Sequence, residues 1–385
     1  STPANPSRRR WLAASALAAA SGTSTSALEV PHPDGAPNVP TGAEDRRRLR
    51  IAFGSCANQS KPQPIWQAVR ESRPDLFIFL GDNFYGDAED EATLRRRYRE
   101  FAAVESLQAF RREVPHLAIW DDHDYGTDDS GGDYPLKRLS QQLFCDAWGE
   151  APDSPRRRRS GIYDVRYVQV SGHRIQVILL DLRFNRSSLQ ADPAQRKGYT
   201  ELVLNARASG QPMAGWYRPS FDLHDTLLGE EQWTWLAQTL EQPADVRVIA
   251  SSIQFAAEGT GWEGWANFPL EQRRLVKLLR DKRAEGAVFI SGDMHYGDIS
   301  CRDEPDLYPL WDATSSGLTE VWDVPTPNRR RRSEVLAAEN FGLLDLRWDL
   351  EQPCLEFGIC DLQGRVRLRQ RVPLTELQLK KDRRP

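Results

Sequence analysis

The chain has 385 residues, 39% of them hydrophobic and twelve of them tryptophan, enough apolar material for one large domain or two modest ones. Its formal net charge of −4 and pI near 6.0 exclude an overall basic field, so no sequence-specific or bulk-charge binding of nucleic acid is expected. Arginine clusters only locally, at 95–97, 156–159 and 329–332, where the readings are solvated loop faces or a contact with a phosphate-bearing substrate.

In chain order, Arg8-Arg9-Arg10-Trp11-Leu12 precedes an Ala/Leu-rich run ending near Ala20. Charge, a short apolar stretch and then small residues is the layout of a signal peptide, and the paired arginines before Trp-Leu resemble a twin-arginine export signal. A basic disordered arm is the alternative. Ala18-Ala19-Ala20 and Thr25-Ser26-Ala27 are both suitable cleavage sites, and the Pro, Gly, Ser and Thr content up to about 45 reads as linker. The expectation is therefore a signal and linker over 1–45 and a catalytic domain over 46–385. It includes export by the twin-arginine machinery to the periplasm or beyond, with no stable membrane anchor.

Residues 49–53 alternate like a strand and stop at Gly54-Ser55-Cys56, and a short helix follows over 65–71. Residues 76–80 are apolar at every position, as in a strand covered on both faces, and end at Gly81-Asp82-Asn83-Phe84-Tyr85-Gly86-Asp87. A charged helix is predicted over 88–112. The strand at 117–120 then runs into Asp121-Asp122-His123-Asp124. A helix over 135–148 and a basic loop over 154–160 lead to a strand pair, 166–170 and 175–180, turned at Ser171-Gly172 and ending at Asp181-Leu182-Arg183.

Residues 184–228 show no clear period, and an excursion of that length is functional or mobile. Trp233, Leu236, Ala237 and Leu240 share one helical face. A strand over 246–250 ends at Ser251-Ser252-Ile253-Gln254; Leu275, Leu278 and Leu279 mark a further helix; and the strand from Val288 ends at Ser291-Gly292-Asp293-Met294-His295. Alternating segments at 341–348, 354–359 and 366–372 predict antiparallel strands finishing a sheet. The fold class is α/β, a sandwich with mixed sheets and an antiparallel C-terminal part.

The polar clusters all fall at carboxyl ends of strands, where open α/β sheets place their ligands. Cys56, Asp82 with Tyr85, Asp122, and Asp293 with His295 make a ligand set larger than one ion needs. Two ions are implied, with Asp82 as a bridge, about 3.5–4 Å apart as in two-metal phosphatases. Six histidines are present and only His295 sits inside a ligand motif, which argues against a histidine-dominated zinc pair. A thiolate, a phenolate and a carboxylate together favour a trivalent ion such as iron. The oxygen-rich second position, with Asp82, Asp122, Asp293 and Gln254, suits calcium, magnesium or manganese. Of the five cysteines, Cys145, Cys301, Cys354 and Cys360 are equally readable as buried thiols or disulfide partners.

These motifs resemble the alkaline phosphatase D (PhoD-like) family of calcineurin-like metallophosphatases. The likeness extends through Tyr134-Pro135-Leu136-Lys137, Leu228-Gly229-Glu230-Glu231-Gln232-Trp233, Asn267-Phe268-Pro269 and Ala313-Thr314-Ser315-Ser316-Gly317-Leu318, and so covers nearly everything after about Leu49. The resemblance implies a metallophosphatase-type α/β/β/α sandwich that hydrolyses phosphate esters. It implies Fe3+ held by Cys56, Asp82, Tyr85 and His295 and Ca2+ held by Asp82, Asp122 and Asp293, with Zn2+, Mn2+ or Mg2+ able to replace either. Two features depart from the pattern: the chain has no room for an added N-terminal β domain, and His123 is followed by Asp124 rather than Glu.

The expected reaction is attack in line on phosphorus by a hydroxide made at the paired ions. His123 would act as general acid towards the leaving oxygen. Arg183 would hold phosphate oxygens or serve as a salt-bridge partner. The rival readings are a serine hydrolase, for which no Gly-x-Ser-x-Gly elbow is present, a non-catalytic metal-binding exported module, and a phosphodiesterase acting on lipid head groups, teichoic acid or nucleotides. In the last case Tyr199, Trp216, Tyr217 and Arg218, with residues 262–268, would line the pocket.

Overall fold

The computed structural model describes residues 47–379, with 196 excepted; the signal and linker expected over 1–45 lie outside the described residues. In chain order the strands are β1 (Arg48–Gly54), β2 (Leu76–Leu80), β3 (His116–Ile119), β4 (Asp164–Val170), β5 (His173–Leu179), β6 (Gln190–Ala191), β7 (Tyr217–Arg218), β8 (Val246–Ser251), β9 (Ala287–Ser291), β10 (Gly297–Arg302), β11 (Leu310–Ser315), β12 (Asn340–Arg347), β13 (Cys354–Asp361) and β14 (Val366–Pro373). The helices are α1 (Ile65–Glu71), α2 (Glu91–Ala102), α3 (Glu105–Glu113), α4 (Asp122–Tyr125), α5 (Lys137–Ala147), α6 (Tyr199–Ser209), α7 (Glu230–Leu240) and α8 (Pro269–Asp281).

Two six-stranded sheets form, in the orders β14-β13-β12-β1-β2-β3 and β10-β11-β9-β8-β5-β4. The expected antiparallel tail is present: β12 pairs antiparallel with β1 and extends the first sheet through β13 and β14. Within the first sheet β1, β2 and β3 run parallel, with Gly54 opposite Phe79 and Leu80 opposite Ile119. Within the second, β5, β8 and β9 run parallel, with Leu179 opposite Ala250 and Ser251 opposite Ser291. This register brings the polar strand ends level with one another in each sheet, which is how motifs far apart in sequence come to share one edge.

The period of two divides each strand between two environments. On β2, Phe77 and Phe79 meet Trp66 of α1 and Phe110 of α3, with Trp66 and Phe110 stacked at 4.8 Å between ring centroids. Leu76, Ile78 and Leu80 point to the opposite face, and all five residues are buried. Each side chain of this size taken fully from water contributes about 1.5–3 kcal/mol. The second sheet's central strand β8 is buried along its whole length, and α7 lays Trp233, Leu236 and Leu240 into the same core. Phe53 lies so close across Gly342 that a Cβ there would come within 2.2 Å of its ring, so the cross-strand pair requires glycine.

Several expectations are corrected. The helix over 88–112 is two helices, broken at Ala103 and Val104, where Val104 turns extended to cap α3. Residues 184–228 are not featureless: they hold α6 and the small β6–β7 ribbon. Helix α6 escapes detection because it buries only Leu202 and Ala206, too few to print a period. All five cysteines are buried and free, which resolves the open choice against a disulfide. Of the arginine runs, 95–97 form carboxylate pairs along α2, while Arg156 is buried against Glu150 at 2.7 Å instead of solvated. No helix among the described residues is long and apolar enough to cross a membrane.

Candidate metal centre

At the carboxyl edge of both sheets the chain leaves ordinary backbone geometry. Cys56, Asp82, Asp293 and His295 all adopt positive φ, at 64°, 47°, 73° and 55°. Non-glycine residues there cost on the order of 1–3 kcal/mol each and persist where surrounding structure enforces them. The enforcement is visible around Asp82. Gly81, at φ +101°, passes so close to β3 that a Cβ would fall 2.4 Å from the Asp121 Cβ. Asp124 then accepts from the backbone N–H groups of Asp121 at 2.6 Å and Asp82 at 3.2 Å, and Asn83 donates both to Asp124 and to Ile119 O. These bonds tie the turns after β2 and β3 into one unit and aim Asp82 and Asp122 at the same space.

The predicted ligands converge. Cys56 Sγ donates to Asp82 Oδ2 at 3.3 Å, and Tyr85 OH lies 3.0 Å from His295 Nε2 and 3.5 Å from Asp82 Oδ2. Ligand atoms of Cys56, Asp82 and His295 fall within 4.8 Å of one another, as do those of Asp121, Asp122 and Asp293, and of Asp82, Asp122 and His123. The chemistry of the donors fits cations. Asp82 Oδ1 and Asp122 Oδ1 are buried without a hydrogen-bond partner; Arg183 Nη2 lies 3.6 Å from the latter, while Asp82 Oδ1 is in the expensive condition of a buried carboxylate oxygen that nothing positive meets.

Burial, followed by the neighbouring acids, raises Cys56, Tyr85, Asp82 and Asp293 well above their ordinary values. A cation among them restores the deprotonated forms. Burial also lowers His295 to about 3, so it is present as the neutral imidazole that binds metal.

Other members fall differently from expectation. His123 belongs to the cavity, with Nδ1 bonded to Asp87 Oδ1 at 2.6 Å and its ring 4.3 Å from that of Tyr85. Burial opposes its charge, but Asp122, Asp82 and Asp87 outweigh that and push it up to about 12. Arg183 does not present its guanidinium to a phosphate: it is 0% exposed. Its Nε pairs with Asp121 at 2.5 Å and its Nη2 with Glu263 at 2.5 Å, with Asp122 at 3.6 Å. It therefore braces the carboxylate layer from behind, the salt-bridge alternative.

Gln254 keeps its Oε1 buried without a hydrogen-bond partner and uses only its nitrogen locally. Its Nε2 donates to Thr314 Oγ1 at 2.8 Å and Asp298 Oδ1 at 3.2 Å, in a buried polar layer with Ser291 and Asp312. That ties it to β10 and β11.

Residues not singled out from the sequence complete the arrangement. Ser316 Oγ contacts Cys56 Sγ at 3.2 Å and accepts from His295 N–H at 2.8 Å, joining the two sheets' ligands. Asp87 orients His123, and Glu263 bridges Arg183 and Arg186. Asp87 and Ser316 lie inside motifs legible in the sequence; nothing local marks Glu263. The centre opens into a cavity of about 450 Å³ whose lining includes Asp122, His123, Asp293 and His295. Trp216, Trp262 and Tyr199 line it and Trp322 joins them, whereas Tyr217 and Arg218, expected beside them, do not.

Two mixed sheets carrying acid, thiol and imidazole groups at their common carboxyl edge define a metallophosphatase-like protein. A model of the PhoD-like phosphatase family matches residues 51–326, and the chain belongs to that family. Alkaline phosphatase D of Bacillus subtilis (strain 168) is 22% identical over 294 residues, 67% of this chain and 47% of that protein, so the chain spans about half the length of this curated relative. A solved structure of PhoD matches with TM-score 0.60 at 16% identity, over 87% of this chain and 69% of that one. Purple acid phosphatase PPD1 from yellow lupin (Lupinus luteus) matches with TM-score 0.53 at 10% identity, over 86% and 55%. GAP50, the anchor in the inner membrane complex of Plasmodium, matches with TM-score 0.51 at 14% identity, over 88% and 91%.

Proposed function

We propose that the protein is an exported phosphoester hydrolase of the alkaline phosphatase D type, using two metal ions. The single observation that carries this reading is the convergence of Cys56, Asp82, Tyr85, Asp122, Asp293 and His295 around buried carboxylate oxygens with no hydrogen-bond partner. Cys56, Asp82, Tyr85 and His295 would hold a trivalent iron, and Asp82, Asp122 and Asp293 a calcium. Cations bound there supply Lewis acidity, lowering the pKa of a water and offsetting charge on the phosphate oxygens.

The chain's own groups do the rest. Asp87 fixes the His123 ring through Nδ1, which leaves Nε2 for the substrate. As the bond from phosphorus to the ester oxygen breaks, His123 gives that oxygen its proton, and a water oxygen takes its place on phosphorus. Arg183 holds Asp121 and Asp122 in place. Export through the twin-arginine pathway is supported by the Arg8-Arg9-Arg10-Trp11-Leu12 pattern.

GAP50 shares the fold and is described as an anchor, so fold alone does not decide between catalysis and binding. The oriented His123 beside the ligand set favours catalysis. The deciding experiment is metal analysis of the purified protein together with rates on a nitrophenyl monoester and a bis-nitrophenyl diester. Two ions per chain and chelator-sensitive turnover are expected. Turnover that survives complete chelation, or bound metal with no turnover of either ester, would sink the proposal.

A further inference from the structure

Cys56 comes from the first sheet and His295 from the second, and one hydroxyl touches both. Ser316 follows β11 and is firmly held. Its N–H donates to Tyr296 O at 3.2 Å, and two residues on Leu318 N–H donates to Ser55 O at 3.1 Å. Between them Gly317 passes so close to Asn340 that a Cβ would fall 2.1 Å from Nδ2. Ser316 and Cys56 are both 0% exposed, so no bulk water competes for the hydroxyl.

The direction of the bonds follows from what each atom can do. His295 N–H donates to Ser316 Oγ at 2.8 Å, and Ser316 Oγ lies 3.2 Å from Cys56 Sγ. A metal-binding cysteine is deprotonated, so between these two atoms only the serine then has a proton to give. Donation runs from the His295 amide through the Ser316 hydroxyl to the Cys56 sulfur, and a hydroxyl that accepts one bond donates the next more strongly. Ser55 Oγ lies 3.4 Å from the same sulfur but has Ser315 O, at 3.5 Å, as a second acceptor. Asp82 Oδ2 at 3.3 Å and Asp293 O at 3.9 Å also stand beside the sulfur; a carboxylate and a carbonyl bring it no proton.

A hydrogen bond to a metal-bound thiolate draws charge out of the sulfur, and in copper–thiolate and iron–sulfur sites it is one of the contacts that set the metal's potential. A thiolate left bare would blunt the positive charge of the ion it holds. The hydroxyl offsets that donation.

We propose that Ser316 is a positioning residue acting through Cys56: its hydroxyl, polarised by the His295 amide, withdraws charge from the sulfur and keeps a trivalent iron held by Cys56, Asp82, Tyr85 and His295 strongly electron-accepting. This rests on the metal-dependent phosphoesterase reading above and adds to it a residue outside the ligand set. Ser316 does not line the cavity, so its influence on the reaction passes through the sulfur alone.

The test loads the full chain with Fe3+ and reads the sulfur-to-iron charge-transfer band and the Fe3+/Fe2+ reduction potential. In Ser316→Ala the band should move to lower energy. The preference of the site for Fe3+ over Fe2+ should rise about tenfold, equivalent to a fall of about 59 mV in potential. Ser316→Thr, which keeps the hydroxyl, should restore both. A Ser316→Ala chain that loses thermal stability while band and potential stay at their wild-type values makes the serine a stitch between the sheets and overturns the proposal. A second measurement needs no variant and covers the case in which Ser316→Ala does not fold. Metal-free chain loaded with Fe3+ in D2O should show an iron–sulfur stretching frequency displaced from its value in H2O, and coincident frequencies overturn the proposal. Iron-loaded wild type with no sulfur-to-iron band at all removes Cys56 from the ligand set; the metal-centre reading then fails, and the role of Ser316 falls with it.

Discussion

His123 is the residue on which the chemistry and the local geometry can be separated. Its Nδ1 is taken by Asp87 at 2.6 Å, so Nε2, which lies 3.8 Å from Asp128 Oδ1, is the nitrogen that would serve a leaving oxygen in the proposed reaction, with Asp87 acting through that ring. An alkoxide needs a proton as it departs; a nitrophenolate does not. His123→Ala is therefore expected to slow an alkyl phosphodiester by roughly a hundredfold or more while costing a nitrophenyl ester only a few-fold. Asp87→Asn should show the same selectivity at smaller amplitude. Equal slowing of both esters in steady-state assays would remove His123 from the proton-transfer role. The ligand positions were legible before folding because Gly-Asp and Gly-Ser-Cys turns end apolar runs that can only be buried strands. Arg183 was not, because its burial beneath Asp121, Asp122 and Glu263 depends on a loop 80 positions further on.

At the scale of elements, the join between α3 and β3 carries a pH dependence of its own. His116 opens β3, with Nδ1 3.0 Å from Val114 O and Nε2 accepting from Arg111 Nε at 3.4 Å. Its ring packs at 5.8 Å against both Phe79 and Trp148. Burial, and then the Arg111 guanidinium, lower its pKa to about 4. In the unfolded chain it titrates near about 6.5. Between those values the unfolded state holds the extra proton, so stability is full above about pH 6.5 and declines as pH falls towards 4. Thermal unfolding in chelator, so that metal loss plays no part, should show Tm falling over this window, with a shallower fall in His116→Gln. Parallel curves for the two proteins would mean that His116 does not contribute. Strands and long amphipathic helices were readable from period alone, as α7 shows. Helix α6 and the β6–β7 ribbon were not, because they are held by loop-to-loop contacts such as Met213 N–H to Pro325 O at 2.9 Å instead of by a buried face.

For the whole molecule, the decisive fact is that the candidate ligands come from both sheets. Cys56, Asp82 and Asp122 follow β1, β2 and β3 of the first sheet, while Asp293 and His295 follow β9 of the second. Backbone bonds already stitch this edge, Ser55 N–H to Ser315 O at 3.2 Å and Leu318 N–H to Ser55 O at 3.1 Å, and Ser316 links Cys56 to His295. Cations placed among these groups would act as a clasp between the sheets as well as a reaction centre. They would also relieve the repulsion among Asp82, Asp122 and Asp293 and the backbone cost of four left-handed residues. A ligand at a hundred times its dissociation constant adds about 2.7 kcal/mol to stability. In a chain of 385 residues each kcal/mol moves Tm by only about 1–1.5 °C, so chelation should lower Tm by roughly 3–4 °C for each ion lost. The loss should not be uniform: amide exchange should rise first at the turns after β1, β2, β3 and β9, on both sheets together, while β13 and β14 at the far edge of the first sheet stay protected. Metal removal that leaves Tm and exchange at these turns unchanged would show that the two sheets meet there without a cation holding them.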